Sequence, residues 1–230
     1  MTPSETTLSS IRVLELASVL AGPLAGAALA ERGAHVTKVE RPPNGDVTRS
    51  WKTKNESSDG KSSAYYASAN GNKTVVWKDL KTDEGRAWLE KACADHDVVI
   101  ENFKAADLPA FGLEAAALAS RHPHLVHVRL IGFQGQPERL AYDVVVQAET
   151  GFMHMNGSPT SPPLRMPVAL MDVLASHQIR AAVLEGLLAH AMGKSGFFAE
   201  VSLEASGVSA LVNHCLLYTS DAADEVDRVD

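Results

Sequence analysis

The sequence has little that suits a redox, metal or membrane role. Its 230 residues include two cysteines, Cys93 and Cys215. They stand too far apart for metal-ligand spacing or a disulfide framework, which fits a reducing cytoplasm. The longest apolar run, Leu16 to Ala30, falls short of the ~20 residues a membrane helix needs and contains Gly22–Pro23. Glu5 and Glu15 are out of place in a signal peptide. A basic excess is also missing: the formal charge of −7 argues against a nucleic-acid partner, which is met by a basic face. So is the Gly-x-Gly-x-x-Gly fingerprint of dinucleotide enzymes. In the first strand-to-helix turn there are only Gly22 and Gly26 with Pro23 between them, and Glu40 alone imitates the ribose-binding acid. A nicotinamide oxidoreductase is therefore the weaker reading.

What is present is ordinary for a soluble globular chain: 45% hydrophobic and 21% charged residues, enough to bury a substantial core. Ile11–Leu16 alternates like a strand, Leu24–Arg32 reads as a helix closed by Gly33, and Val36 and Val39 mark a second strand at His35–Glu40. Strand, helix, strand within this span makes a βαβ unit. Arg41–Tyr65 reads as a long polar loop, of the kind that often carries function. Strands are expected at Thr74–Lys78, Val98–Glu101 and Leu125–Ile131. Helices are expected at Thr82–Asp95 (capped by Thr82), near Leu113–Arg121, and at Tyr142–Thr150, with Val144, Val145, Ala148 and Gly151 on one face. Gly157–Pro163 is the clearest linker. A long helix runs from Asp172 to His190, then a strand at Phe197–Leu203 and a helical segment near Ser206–Asn213. The fold class is α/β: a doubly wound, mostly parallel, Rossmann-like sheet in residues 9–156, a linker at 157–163, and the start of a smaller second domain in 164–214.

Ligands of open α/β sheets bind beyond the carboxyl ends of the strands. Ala17–Gly22, Glu40–Arg41, Asn102–Phe103–Lys104 and Gly132–Phe133 fall there. Taken singly, Arg41 and Lys104 read as solvated charges and Phe103 as a core plug. Taken together they suit an anionic ligand with a flat ring.

Asp172 ends the apolar run Pro167–Met171 and precedes the long helix. Its bland role is an N-cap, since Asp accepts orphan backbone N–H groups. Position 175 is Ala, however, so no capping box closes around it. A carboxylate beside a helix N-terminus is stabilised as an anion, so the sequence predicts an ionised group at neutral pH.

These pieces, in this order, resemble the class III CoA-transferases, the group with formyl-CoA transferase, carnitine CoA-transferase and α-methylacyl-CoA racemase. The likeness is carried by Arg12–Leu16 leading to Ala21–Gly22–Pro23, by Gly33–Pro42 with Gly45–Asp46 and Arg49, and by Asn72–Lys73. Asp97–Phe103, Phe111–Gly112–Leu113, Tyr142–Asp143, Gln147–Ala148 and Val201–Leu203 continue it. It covers roughly residues 9–214. The resemblance implies Asp172 as the catalytic aspartate. It implies a CoA site lined by Val19, Leu20, Arg41, Asn72, Lys73, Asn102, Phe103 and Lys104, and by Arg139–Tyr142 with Asp143. It also implies an acyl-CoA and a carboxylic acid as substrates, coenzyme A as a co-substrate, and an interlocked homodimer. That chemistry needs no bound cofactor or metal, and the charge and short apolar runs point to no nucleic-acid or membrane partner.

The chemistry suits a lone carboxylate. Ser and Cys need a base or a lowered pKa, whereas a free Asp, with a pKa of about 3.9, is already charged. In the racemase branch a His pairs with the Asp, and its place here holds Tyr142. His154 and His177 are the nearby alternatives. A non-catalytic CoA-binding protein is the alternative of another class. The chain departs from the family pattern at Ala105–Ala106 and Ala110 and in the turn Gly132–Pro137. Family members are much longer, so the sequence reads as an N-terminal fragment, weakly active or inactive alone. Residues 215–230 resemble a translated sequencing adapter, which removes Cys215 from any redox argument.

Overall fold

The computed structural model describes residues 7–58, 60–136, 138–158 and 160–213. The expectations for Cys215 and the 215–230 tail lie outside them. Six strands form one sheet: β1 (Arg12–Glu15), β2 (His35–Glu40), β3 (Thr74–Trp77), β4 (Val98–Glu101), β5 (Val126–Ile131) and β6 (Phe198–Ser202). All five pairings are parallel, in the order β3-β2-β1-β4-β5-β6.

The connections carry α1 (Ala21–Ala30), α2 (Ala64–Asn70), α3 (Asp83–Asp95), α4 (Leu108–Phe111), α5 (Ala115–Arg121), α6 (Asp143–Glu149), α7 (Phe152–Met155) and α8 (Leu170–Ala191), with α9 (Leu203–Ser209) after β6. Alternate residues of the central strands feed opposite layers, as the two-residue strand period requires. Val13, Val98, Ile100 and Val128 face a core shared with α1 and α8. Leu14 and Val99 face a second core with Leu89 of α3 and Leu118 of α5. Both faces of the sheet are covered, so β4 is buried throughout and reads as the continuous apolar run Val98–Ile100.

Three expectations differ from this architecture. The Arg41–Tyr65 loop contains a 3-10 turn at Val47–Ser50 and delivers α2, whose first turn is capped by Ser63: its Oγ accepts the Tyr66 N–H at 2.9 Å. That helix was invisible because it is short and lacks an apolar stripe. On α6 the buried residues are Val146 and Gln147, while Val144 and Val145 are exposed. One helical turn of valines cannot announce which side faces the core. Finally, the stretch after the Gly157–Pro163 linker returns to the same sheet. α8 packs on α1, and β6 pairs with β5 from His127↔Phe198 to Ile131↔Ser202. Residues 164–209 thus extend the first core and do not begin a separate one; composition marks a linker without saying which core the chain joins beyond it.

α1 crosses β1 at very short range. A Cβ placed on Gly26 would stand 1.9 Å from Glu15 Oε2. Ala in a helix interior is favoured over Gly by about 1 kcal/mol, but here the clash falls on a fully buried carboxylate. Gly26→Ala is expected to lower the unfolding free energy by roughly 2 kcal/mol or more in urea melts. Gly71→Ala, with open space around the site, serves as the neutral control.

Candidate active site

The chain runs outward from β1 to β3 and returns to β4, so the topological switch point lies between β1 and β4. Two loops leave the sheet there, Ala17–Leu20 and Asn102–Lys104. Asn102 ties them together: its Oδ1 accepts the Ser18 N–H and its Nδ2 donates to the Ser18 carbonyl, both at 3.1 Å. Beside this tie is a cavity of about 330 Å³ whose polar walls include Arg41, Lys78, Lys81 and Lys104. A recess of about 120 Å³ lies on the other side and reaches Arg139, Tyr142 and Asp172. Ser18, Asn102, Phe103 and Lys104 line both, so the two form one crevice, with Arg41, Lys78 and Lys81 toward one end and Asp143, Asp172 and Arg139 at the other.

Asp172 is the third residue of α8, not its N-cap; the cap position is Ala169, whose methyl group makes no capping hydrogen bond. Asp143, at the start of α6, does the capping. Its Oδ1 accepts the Met171 N–H at 2.7 Å and the Asp172 N–H at 3.3 Å, and its Oδ2 accepts from Gln147. Asp172 therefore gains little from its own helix. Burial raises its pKa, the Asp143 charge raises it further, and the N–H of Ala21, first residue of α1, lowers it by donating to the carboxylate. The balance stands at about 7. This corrects the expectation of a group fully ionised at neutral pH: the helix-end stabilisation is already taken by Asp143, whose charge opposes a second anion.

Comparison with known proteins gives the arrangement a lineage. Residues 8–229 match the family model described as CoA-transferase family III. The chain belongs to that family. It is 43% identical over 192 residues to a succinate–glutarate CoA-transferase of Agrobacterium fabrum, covering 80% of this chain and 48% of the relative. It is 34% identical to the human succinyl-CoA:glutarate CoA-transferase, covering 89% and 47%. Among solved structures, a CAIB/BAIF family protein from Brucella suis superposes with a TM-score of 0.83 at 32% identity, covering 94% of this chain and 58% of that one. The chain spans about half the length of the curated relatives it matches. The family match also runs through residues 215–229, the stretch whose composition resembles an adapter.

Of the residues the family III resemblance assigned to the site, the fold brings nine to the crevice walls. Arg41 lines the larger cavity and Val19, Arg139, Tyr142, Asp143 and Asp172 the recess, while Asn102, Phe103 and Lys104 line both. Arg41 is held by Asp79 at 3.3 Å, and the Arg139 guanidinium lies 3.8 Å from the Phe133 ring centroid and also pairs with Glu149. Phe103 packs on Phe111 with centroids 4.8 Å apart and the rings tilted by 51°. Three residues are not among those walls. Leu20 is buried ahead of α1, and Asn72 is exposed in a left-handed turn. Lys73 is enclosed, its Nζ bound to Glu15 Oε2 at 2.7 Å and to the Pro23 carbonyl at 2.8 Å.

Sequence reasoning missed Lys78 and Lys81, although the strand-end rule applied to β3 points to them. It also missed Tyr65 of α2. The Tyr65 hydroxyl pKa is raised by burial and then by Asp172, Asp143 and Asp46, so the phenol lies within electrostatic reach of the nucleophile candidate. No trio of His, Cys, Asp or Glu side chains is grouped for a metal among the described residues. Nor does a histidine line the crevice there. His177 faces a separate groove beside Arg180, and His154 is exposed. Cys93 is buried, which pushes its thiol up to about 12 and leaves it unreactive.

The raised pKa makes a stability prediction. An unfolded Asp titrates near 3.8 and the folded one near 7, so folding favours the protonated form. The resulting stabilisation is complete below 3.8 and is lost as pH rises through 7. Asp172→Asn, which cannot ionise, is expected to match the wild type in Tm at pH 4 and to exceed it at pH 8, where its unfolding free energy is higher by on the order of 1 kcal/mol after discounting for partial exposure. Equal Tm differences at the two pH values would refute the shift.

Proposed function

We propose that this chain carries the CoA-binding part and the nucleophile of a CoA-transferase that moves CoA from an acyl-CoA thioester to a carboxylic acid. One observation carries the reading: a half-buried carboxylate, held by α1 and α6 near its protonation midpoint, in a recess that opens beside a cavity whose walls include Arg41, Lys78, Lys81 and Lys104. Arg41, Lys78, Lys81 and Lys104 suit the phosphates of CoA, and Phe103 offers an apolar face to its ring or arm. Lys73 acts from behind the wall through Glu15.

In the reaction, the ionised Asp172 oxygen attacks the thioester carbonyl, the C–S bond breaks and CoA thiolate leaves, giving a mixed anhydride. The thiolate attacks the aspartyl carbonyl, the donor acid departs as carboxylate, and an aspartyl-CoA thioester remains. The acceptor carboxylate attacks this thioester, and the returning thiolate takes the acceptor acyl group and frees Asp172. One thioester is consumed and one is made, so no ATP is needed. The Ala21 N–H is placed to stabilise negative charge at the Asp172 carboxyl as it develops. A carboxylate with a raised pKa is also more basic, hence a better nucleophile once ionised.

The relatives' names suggest succinyl-CoA and a second short dicarboxylic acid as substrates. Racemisation would need a second acid–base group. Tyr142, 60% exposed, occupies the place of the racemase histidine, so transfer is the better-supported chemistry. A cytoplasmic location and the family's interlocked homodimer complete the reading. The exposed Leu184 and Leu188 on α8 and Met192 just after it suit the latter, and a monomer in sedimentation of the longer protein would remove it.

In the longer protein, Asp172→Ala is expected to reduce CoA exchange by about a thousand-fold or more while CoA binding stays within a few-fold. Hydroxylamine should trap Asp172 as a hydroxamate after incubation with acyl-CoA. CoA binding without label on Asp172 would favour a non-catalytic role. The nucleophile must be ionised, so kcat/KM in the free enzyme should rise with pH and level off above about 7.

A further inference from the structure

Ala21 and Asp172 line the same recess, the Ala21 N–H lowers the pKa of that carboxylate, and the turn that places it is strained. α1 has no side-chain cap, and Val19 has φ +73°, a left-handed conformation that a β-branched residue resists. The turn is gripped from below by one ion pair. Lys38 Nζ donates to the Ala17 carbonyl at 3.0 Å, and Asp46 Oδ2 accepts the Val19 N–H at 3.2 Å. Lys38 and Asp46 are 3.1 Å apart, each side chain 1% exposed. Every lone pair used on Asp46 goes to the chain, since Oδ1 takes the Thr48 N–H and hydroxyl at 3.0 and 2.7 Å. Glu15 Oε1 accepts from Lys38 at 3.1 Å and fixes it from the other side.

We propose that the buried Lys38–Asp46 pair is a positioning device for the nucleophile: it holds Ala17 and Val19, keeps Val19 left-handed, and so aims the Ala21 N–H at the Asp172 carboxylate. Lys38 and Asp46 are positioning residues: both border the larger cavity, but their charged atoms are bound within the chain, and they reach Asp172 through the turn. The importance of this for catalysis rests on Asp172 being the nucleophile, but the geometry does not.

The direct test is a carboxyl ¹³C NMR titration of Asp172 in the 230-residue chain, with its signal assigned by loss in Asp172→Asn. The groups facing that carboxylate are Asp143 from α6 and the Ala21 N–H from α1. Tyr65 from α2 is coupled to it, and Lys104 and Arg139 line the same recess. Removing the Asp46 charge by itself lowers the Asp172 midpoint or leaves it in place; losing the Ala21 donor raises it. The two effects therefore have opposite signs.

Asp46→Asn is expected to raise the midpoint by about half a pH unit and to shift the Ala21 amide resonance. Val19→Gly, which adopts the left-handed turn without strain, is expected to keep the wild-type midpoint. It is also expected to restore that midpoint when combined with Asp46→Asn. Should the single Asp46 variant not fold, the double variant carries the test. An unchanged or lowered midpoint in Asp46→Asn, or a double variant that neither folds nor regains the wild-type value, overturns the proposal. If exchange activity survives Asp172→Ala, the nucleophile reading fails while this titration stands.

Discussion

Everything at the switch point rests on charges removed from water. Glu15 is fully buried and accepts from two ammonium groups, Lys38 and Lys73. Lys38 has a second carboxylate, Asp46, and although burial opposes it, the two anions hold its pKa above the usual lysine value. Lys73 shares Glu15 with Lys38 and is repelled by it, so burial wins and its pKa falls to about 8. Removing one partner from such a set typically costs about 3–5 kcal/mol, because an unpaired charge is left inside. A left-handed valine costs about 1–3 kcal/mol. The ionic set is the stronger of the two, so the turn conforms to the charges and not the reverse.

A second charged set holds the next loop. Glu40, at the end of β2, takes Arg49 Nε at 2.6 Å and the Tyr66 hydroxyl at 2.6 Å, and its Oε2 also accepts the Asp46 N–H at 3.0 Å. Burial opposes the Glu40 charge, but the hydrogen bonds from Arg49, Tyr66 and Asp46 keep its pKa below normal. The chain from β2 to α2 is thereby pinned along its length, and Tyr65 is delivered toward Asp172. On the far side, Glu101 accepts the Phe103 N–H at 2.9 Å and Arg129 Nε at 2.6 Å. Each wall of the crevice thus has a buried carboxylate behind it, which takes backbone N–H groups of the loop and fixes its course.

The layer architecture was legible because it depends on patterns that survive in sequence: apolar strands, alternating helices and strand-end placement. The strand-end rule alone is enough to put Phe103 and Lys104 at the crevice. Interior roles were not legible. Lys73 reads as a basic residue near a nucleotide, yet it serves Glu15, and nothing in its neighbours Asn72 and Thr74 announces a partner 58 positions away. Asp143 and Asp172 look like two separate acids in sequence. Only their approach across α6 and α8 makes one the cap and the other the weak acid, because a pKa is set by neighbours in space.

Gly26 gives this arrangement an evolutionary corollary. Its missing side chain is what lets Glu15 lie under α1, and Glu15 is what allows two lysines inside. A drift to any larger residue at position 26 displaces the acid, and a lost acid strands both bases. These sites are therefore not independent letters. Lineages can leave this state only by exchanging several of them together, so the combination is expected to persist as a block even where the surrounding surface turns over freely.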